Sequence, residues 1–241
     1  MSTRRETDSI GYLPALQVIR PSTTLRSNER FESRHSVMMQ IMRALSDSKL
    51  SKIGVYALGG VGKTTLMKEI AAEVRDDKLF NAVVMAFVTK SPDITRIQEE
   101  IADQLGLQFG EKSSFGRACR LHDRIKREKS ILIILDDLYT RLNLEKVGVP
   151  IRDAQEYLNR EIKSIHPGCK LFLTSRNREV LQEMETEEDF RLEVLNQTEK
   201  WNLFADMVGE AIKDPSLQSI AIEVAKKCNS LPVLVATWQG H

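Results

Sequence analysis

The stretch VYALGGVGKTTLMKEI, residues 55–70, constrains the fold more than any other part of the chain. An apolar, strand-like segment runs into clustered glycines, then Gly-Lys-Thr-Thr, then a helical pattern. This is the order of a phosphate-binding loop, G-x-x-x-x-G-K-[ST]. In such a loop backbone N–H groups face phosphate oxygens and the helix N-terminus adds positive charge. Gly59, Gly60, Val61 and Gly62 are the expected loop residues, their amides joined by that of Lys63. The Lys63 ammonium is expected to neutralise the β- and γ-phosphates, Thr64 to hold Mg²⁺, and Thr65 to sit on the α-phosphate side. Ala57 stands where the pattern asks for its first glycine. A glycine there permits positive φ, which costs an alanine about 1 kcal/mol or more. As the last residue of a strand, Ala57 in the β region carries little of that cost.

A second segment matches the first. ILIILDD is a continuously apolar strand ending in Asp136 and Asp137, about 70 residues after the loop. In α/β sheets the carboxyl ends of the strands face the ligand crevice. Asp136 is therefore expected to share the Mg²⁺ with Thr64, and Asp137 to orient or deprotonate an attacking water. CKLFLTSR ends a further strand on Arg176, which is placed to sense a γ-phosphate and stabilise charge during transfer.

The remaining pattern alternates. Helices are predicted over residues 31–47, 64–76, 94–107, 113–127, 154–165 and 178–184, with strands over 52–57, 82–89, 130–137, 169–176 and 190–195. Alternation of this kind implies crossover units and a parallel sheet, and unbroken apolar strands fit a sheet covered on both faces. Beyond residue 195 only helical, amphipathic segments follow, the first starting near Thr198, Glu199 and Lys200. The expected division is an arm over residues 1–30, a nucleotide-binding α/β domain over 31–194, and a partial helical region over 195–241.

Charge and composition narrow the class. Lys and Arg total 35 against 34 Asp and Glu, which lacks the basic excess of a nucleic-acid-binding protein. Cys119, Cys169 and Cys228 form no CxxC pair and read as reduced thiols, so a cytoplasmic location is expected. No apolar run is long enough for a transmembrane helix, and the first residues, MSTRRETDSI, do not read as a signal peptide. His35, His122, His166 and His241 match no metal or triad spacing.

Taken in order, the motifs resemble the NB-ARC domain of plant disease-resistance proteins of the coiled-coil NLR type, within the STAND class of P-loop NTPases. FESR before a helix is similar to the adenine-side signature of that family, with Arg34 in its arginine position. VYALGGVGKTT resembles its P-loop, ILIILDDL its acidic strand and KLFLTSR its sensor arginine. LEVLNQTEKWNLFADMVG is similar to the block opening the ARC region. CNSLPVLV resembles the Gly-Leu-Pro-Leu element, whose proline, here Pro232, lines the base. Ala57 and Ser230 replace family glycines, and the resemblance implies that the 241 residues are a fragment of a larger receptor, without its winged-helix subdomain and Met-His-Asp motif or its coiled-coil and leucine-rich-repeat domains.

The resemblance implies a switch: ADP holds a closed form, and exchange for ATP opens it toward homo-oligomerisation. The coiled coil and repeats of a longer receptor are its implied intramolecular partners, and slow Mg²⁺-dependent ATP hydrolysis is the reset. Two other readings stay open from the residues alone. A P-loop small-molecule kinase would turn over rapidly with an acceptor. A non-hydrolysing interaction fragment would have no nucleotide affinity, even after Ala57→Gly.

Overall fold

The computed structural model describes residues 32–150, 168–196, 198–199 and 201–203. Its elements follow the predicted alternation: α1 (Glu32–Ser46), β1 (Lys52–Tyr56), α2 (Lys63–Asp76), β2 (Ala82–Phe87), α3 (Ile94–Gln104), α4 (Ser114–Lys126), β3 (Ile131–Leu138), α5 (Leu144–Val147), β4 (Cys169–Ser175), α6 (Arg178–Glu183) and β5 (Glu188–Arg191). The five strands form one sheet in the order β2-β3-β4-β1-β5, and every pairing is parallel.

Side-chain alternation along the strands separates two cores. Ile131, Ile133 and Leu135 of β3 join Leu171 and Leu173 of β4 on one face, against Ile97 and Ile101 of α3 and Leu121 and Ile125 of α4. Leu132, Ile134 and Phe172 face the opposite way, against Ile41 and Leu45 of α1 and Leu66, Met67 and Ile70 of α2. Covering on both faces explains why β3 reads as an unbroken apolar run rather than an alternating one.

The ends of the helices are specified locally. The carboxylate of Asp93 accepts from Arg96 N at the start of α3, and the hydroxyl of Ser113 accepts from Gly116 N at the start of α4. The open edge of β2 is closed by α3. Gln104 Oε1 accepts from Met85 N at 2.9 Å, and Glu100 Oε2 accepts from Phe87 N at 2.9 Å. Two side chains thus occupy donors that would otherwise template another strand.

Two sequence expectations are corrected. The last strand lies at Glu188–Arg191 rather than over 190–195. Its register is fixed by Ile53 to Tyr56 of β1, and the parallel pairing ends with Leu192 N donating to Tyr56 O at 3.0 Å, because β1 ends there. The apolar residues Val194 and Leu195 pack as irregular chain beyond it. The short helix α5 was missing from the sequence reading. It is one turn, begun by Asn143 and stopped by Gly148 in the left-handed region, too brief to show periodicity. The helix expected over 154–165, the arm over 1–30 and most of the helical region after 195 lie outside the described residues.

Candidate functional site

The sheet order decides which side chains meet. Strand β4 lies between β1 and β3, so the loop after β1 and the acids ending β3 both converge on the carboxyl end of β4. Ala57 continues β1, its N donating to Ser175 O at 3.2 Å, and its methyl is buried among the core residues under α1 and α2. It is absent from the residues with positive φ; within the loop Gly60 and Gly62 take that role, at 77° and 102°. The left-handed turns therefore fall on true glycines, and the missing first glycine removes no conformational requirement.

Gly62 leads directly into α2, whose first residue is Lys63. The Lys63 ammonium sits inside the loop, donating to Ala57 O at 2.8 Å and Leu58 O at 3.1 Å. Burial lowers its pKa from the ordinary lysine value; Arg176 pushes in the same direction, while Asp137 and Asp136 oppose. Thr64 Oγ1 donates to Asp136 Oδ2 at 2.6 Å. Thr65, next along the helix, is exposed.

At the end of β3 the ladder slips: Leu135 pairs with Leu173 but Leu138 pairs with Ser175, so β3 carries one extra residue. Asp137 takes up the slack at φ 61°. A regular strand would send consecutive side chains to opposite faces. The bulge re-aims them, and both carboxylates reach partners in one crevice. Asp136, fully buried, accepts from Thr64 on one oxygen and from Thr174 Oγ1 at 2.5 Å on the other. Thr174 Oγ1 in turn accepts from Asp137 N at 2.8 Å, so one hydroxyl fixes both acids. The Asp137 carboxylate is held by Arg176 through Nε at 3.2 Å and Nη2 at 3.1 Å. This side-on, two-bond pairing sits at the crevice rim, with Arg176 half exposed.

Arg34 reaches the site from α1. Its Nη2 donates to Val61 O at 2.6 Å, while Nη1 is buried with no partner among the described residues. Burial lowers the pKa of this guanidinium, and the charges of Glu199 and Glu69 counteract that. The preceding residue, Ser33, donates from N at 3.1 Å and from Oγ at 2.7 Å to Glu199 Oε1. The other oxygen of Glu199 accepts from Asn196 N at 3.0 Å, and Glu199 N donates back to Asn196 Oδ1 at 2.9 Å. That reciprocal pair is a capping box. A single buried carboxylate thus ties the start of α1 to the segment after β5.

Lys63, Thr64, Asp136, Asp137 and Arg176 therefore gather in one crevice, with Gly59, Gly60, Val61 and Gly62 forming its loop and Arg34 bracing that loop. Pro232 lies outside the described residues. Sequence reasoning gave no role to Thr174 as the link between the two acids, and it missed Tyr139 beside Arg176. It also took Glu199 only as part of a helix start. The spacing Asn196-x-x-Glu199 was the available signal for the last of these.

Residues 34–214 match the NB-ARC domain family. The chain belongs to the NB-ARC family. Curated relatives in Arabidopsis thaliana include Disease resistance protein At4g27190, 28% identical over 98% of this chain and 22% of that protein. Probable disease resistance protein At4g14610 is 34% identical over 82% of this chain and 27% of its own length. Disease resistance protein RPS5 is 33% identical over 75% of this chain and 20% of its own length. The chain thus spans between 20% and 27% of the length of these relatives. Among solved structures, the Aeropyrum pernix ORC2 protein in its ADP form superposes with a TM-score of 0.56 at 18% identity, covering 96% of this chain and 65% of that one. The NB-ARC chain accordingly has the P-loop NTPase fold. Among the described residues no helix is long and apolar enough to cross a membrane.

Proposed function

We propose that this NB-ARC chain is the ATP/ADP-binding switch module of a plant intracellular immune receptor, reset by slow Mg²⁺-dependent ATP hydrolysis. The observation that carries the reading is one unbroken network joining the start of α2 to the ends of β3 and β4. It runs from Thr64 on the P-loop helix through Asp136, Thr174 and Asp137 to Arg176. A change at the phosphate end has a continuous route to the rim of the crevice through side-chain hydroxyls, carboxylates and the Asp137 amide. Loops held by a γ-phosphate in one state and released in another are a recurrent basis for switching.

Within this reading each residue has a distinct task. The amides of the loop from Gly59 to Lys63 and the ammonium of Lys63 bind the phosphates. Lys63 holds two backbone carbonyls at its present position, and a phosphate oxygen offers a charged acceptor in their place. Thr64 and Asp136 present hard oxygen donors side by side, the donor class Mg²⁺ takes alongside waters and substrate phosphates. Bound there, the ion would neutralise charge on the β- and γ-phosphates. Arg176 is the γ-phosphate sensor. When it leaves Asp137 for that phosphate, the Asp137 carboxylate is freed to orient a water. Arg34 supports the loop at Val61, Thr65 flanks the α-phosphate and Pro232 lines the base. The coiled-coil and repeat domains of a longer receptor are the intramolecular partners, and a second copy of the module is the partner on activation.

Titration of the purified chain with fluorescent ADP and ATP analogues, in parallel with Lys63→Ala, tests this reading. Loss of a charged hydrogen-bonding partner of about 1.5–3 kcal/mol predicts affinity reduced by about 10- to 150-fold. Equal affinity in the variant would contradict it.

A further inference from the structure

Arg176 is enclosed on three sides. Its Cζ lies 5.1 Å from the ring centroid of Tyr139. Its edge is paired with both oxygens of Asp137. Its third boundary is the P-loop: a methyl built on Gly59 would lie 3.3 Å from Arg176 Nη1, so the guanidinium rests against the bare backbone of that glycine. The Asp137 carboxylate also acts on the Tyr139 hydroxyl, raising its phenol above the ordinary tyrosine value. One side chain two residues beyond the acidic pair thus lies over Arg176 and near the carboxylate that Arg176 is paired with.

From this geometry we infer that Tyr139 is a positioning residue, holding Arg176 against Gly59 so that the chain distinguishes a nucleoside triphosphate from a diphosphate. The inference rests on the switch reading above. An arginine with half its surface in water and four rotatable bonds stays beside the loop only where contacts hold it there. Asp137 alone does not fix it once nucleotide arrives, since an incoming phosphate competes for the same N–H groups of the guanidinium. The ring does not compete: Arg176 Cζ sits over it, and it takes none of the N–H groups that an anion would need. Tyr139 thus keeps Arg176 in place during the exchange of Asp137 for a γ-phosphate.

Two readouts on Tyr139→Ala, Tyr139→Phe and Tyr139→Trp test this. The first needs no nucleotide: the rate at which phenylglyoxal modifies Arg176, followed by peptide mass spectrometry. Tyr139→Ala is expected to raise that rate about two- to fivefold, the range of an exposed cation–π contact. Tyr139→Phe and Tyr139→Trp, which keep the ring, are expected to match the parent. Arg178, stacked at 5.8 Å over Tyr56, is the internal reference and should not change. The second readout is the ratio of ATP to ADP affinity, expected to fall about two- to fivefold in Tyr139→Ala with ADP binding unaltered. A merely structural role would weaken both nucleotides together and would overturn the inference, as would unchanged Arg176 labelling. If the parent chain binds neither nucleotide, the switch reading fails and triphosphate selection by Tyr139 fails with it. The labelling rates then decide only whether Tyr139 holds Arg176.

Discussion

Replacing Thr174 with valine keeps the volume and shape of the side chain and removes one oxygen. That oxygen has two partners at the centre of the sheet: it donates to Asp136 Oδ1 at 2.5 Å and accepts from Asp137 N at 2.8 Å. Thr174 and Asp136 are both fully buried, so water cannot substitute without displacing core side chains. A hydrogen bond to a charged group is worth about 1.5–3 kcal/mol, and the amide of Asp137 adds about 1 kcal/mol. The amide sits on a residue at φ 61°, a conformation an aspartate adopts at some cost, so the bond also holds the bulge together. The expected destabilisation of Thr174→Val is therefore about 2.5–4 kcal/mol. Urea unfolding at neutral pH, followed by circular dichroism, reads it as a lower midpoint with an unchanged slope. Thr174→Ser restores the hydroxyl and should lose only the burial of a methyl, about 1 kcal/mol. A loss under about 1 kcal/mol for the valine variant, or equal losses for both, would refute the claim that this hydroxyl fixes the two acids.

Two further outcomes are expected. Burial alone would raise the Glu199 carboxyl, but bonds from Asn196 N, Ser33 Oγ and Ser33 N and the charge of Arg34 outweigh it and hold its pKa below the ordinary value. The stability advantage over Glu199→Gln is thus full above about pH 4.3, the free glutamate value, and shrinks as pH falls below it. Denaturant melts of both proteins across that window check the direction; an advantage that grows on acidification would contradict it. Ala57→Gly should destabilise by about 0.5–1 kcal/mol and leave ADP affinity unchanged, because Ala57 is ladder-bonded and buried rather than part of a left-handed turn.

The fold was legible in the sequence where period and position coincide. Apolar strands such as ILIIL, each followed by a helix and a loop with polar termini, dictate parallel crossovers whatever the tertiary detail. The P-loop was equally legible, since its glycines, lysine and threonine act through local backbone geometry. Thr174 was not, because its importance comes from β4 being inserted between β1 and β3, a long-range fact that no local spacing encodes. The bulge at Asp137 was hidden for the same reason: LDD reads as regular strand, and the extra residue exists only relative to the register of β4. The end of the sheet was misplaced because Leu192, Val194 and Leu195 have strand-like character, while β1 had no further residues to pair with them. The double anchoring by Glu199 joins residues 33 and 199, and only its local half was written in the Asn196-x-x-Glu199 spacing.

The central claim is that this crevice holds a nucleotide as the resting ligand of a switch. Purifying the 241-residue chain, denaturing it and chromatographing what is released measures that directly. The account predicts ADP in near-stoichiometric amount, lost when Lys63 is replaced by alanine. Protein that carries no nucleotide, and that takes up none from excess ADP and Mg²⁺ while remaining folded, would contradict it.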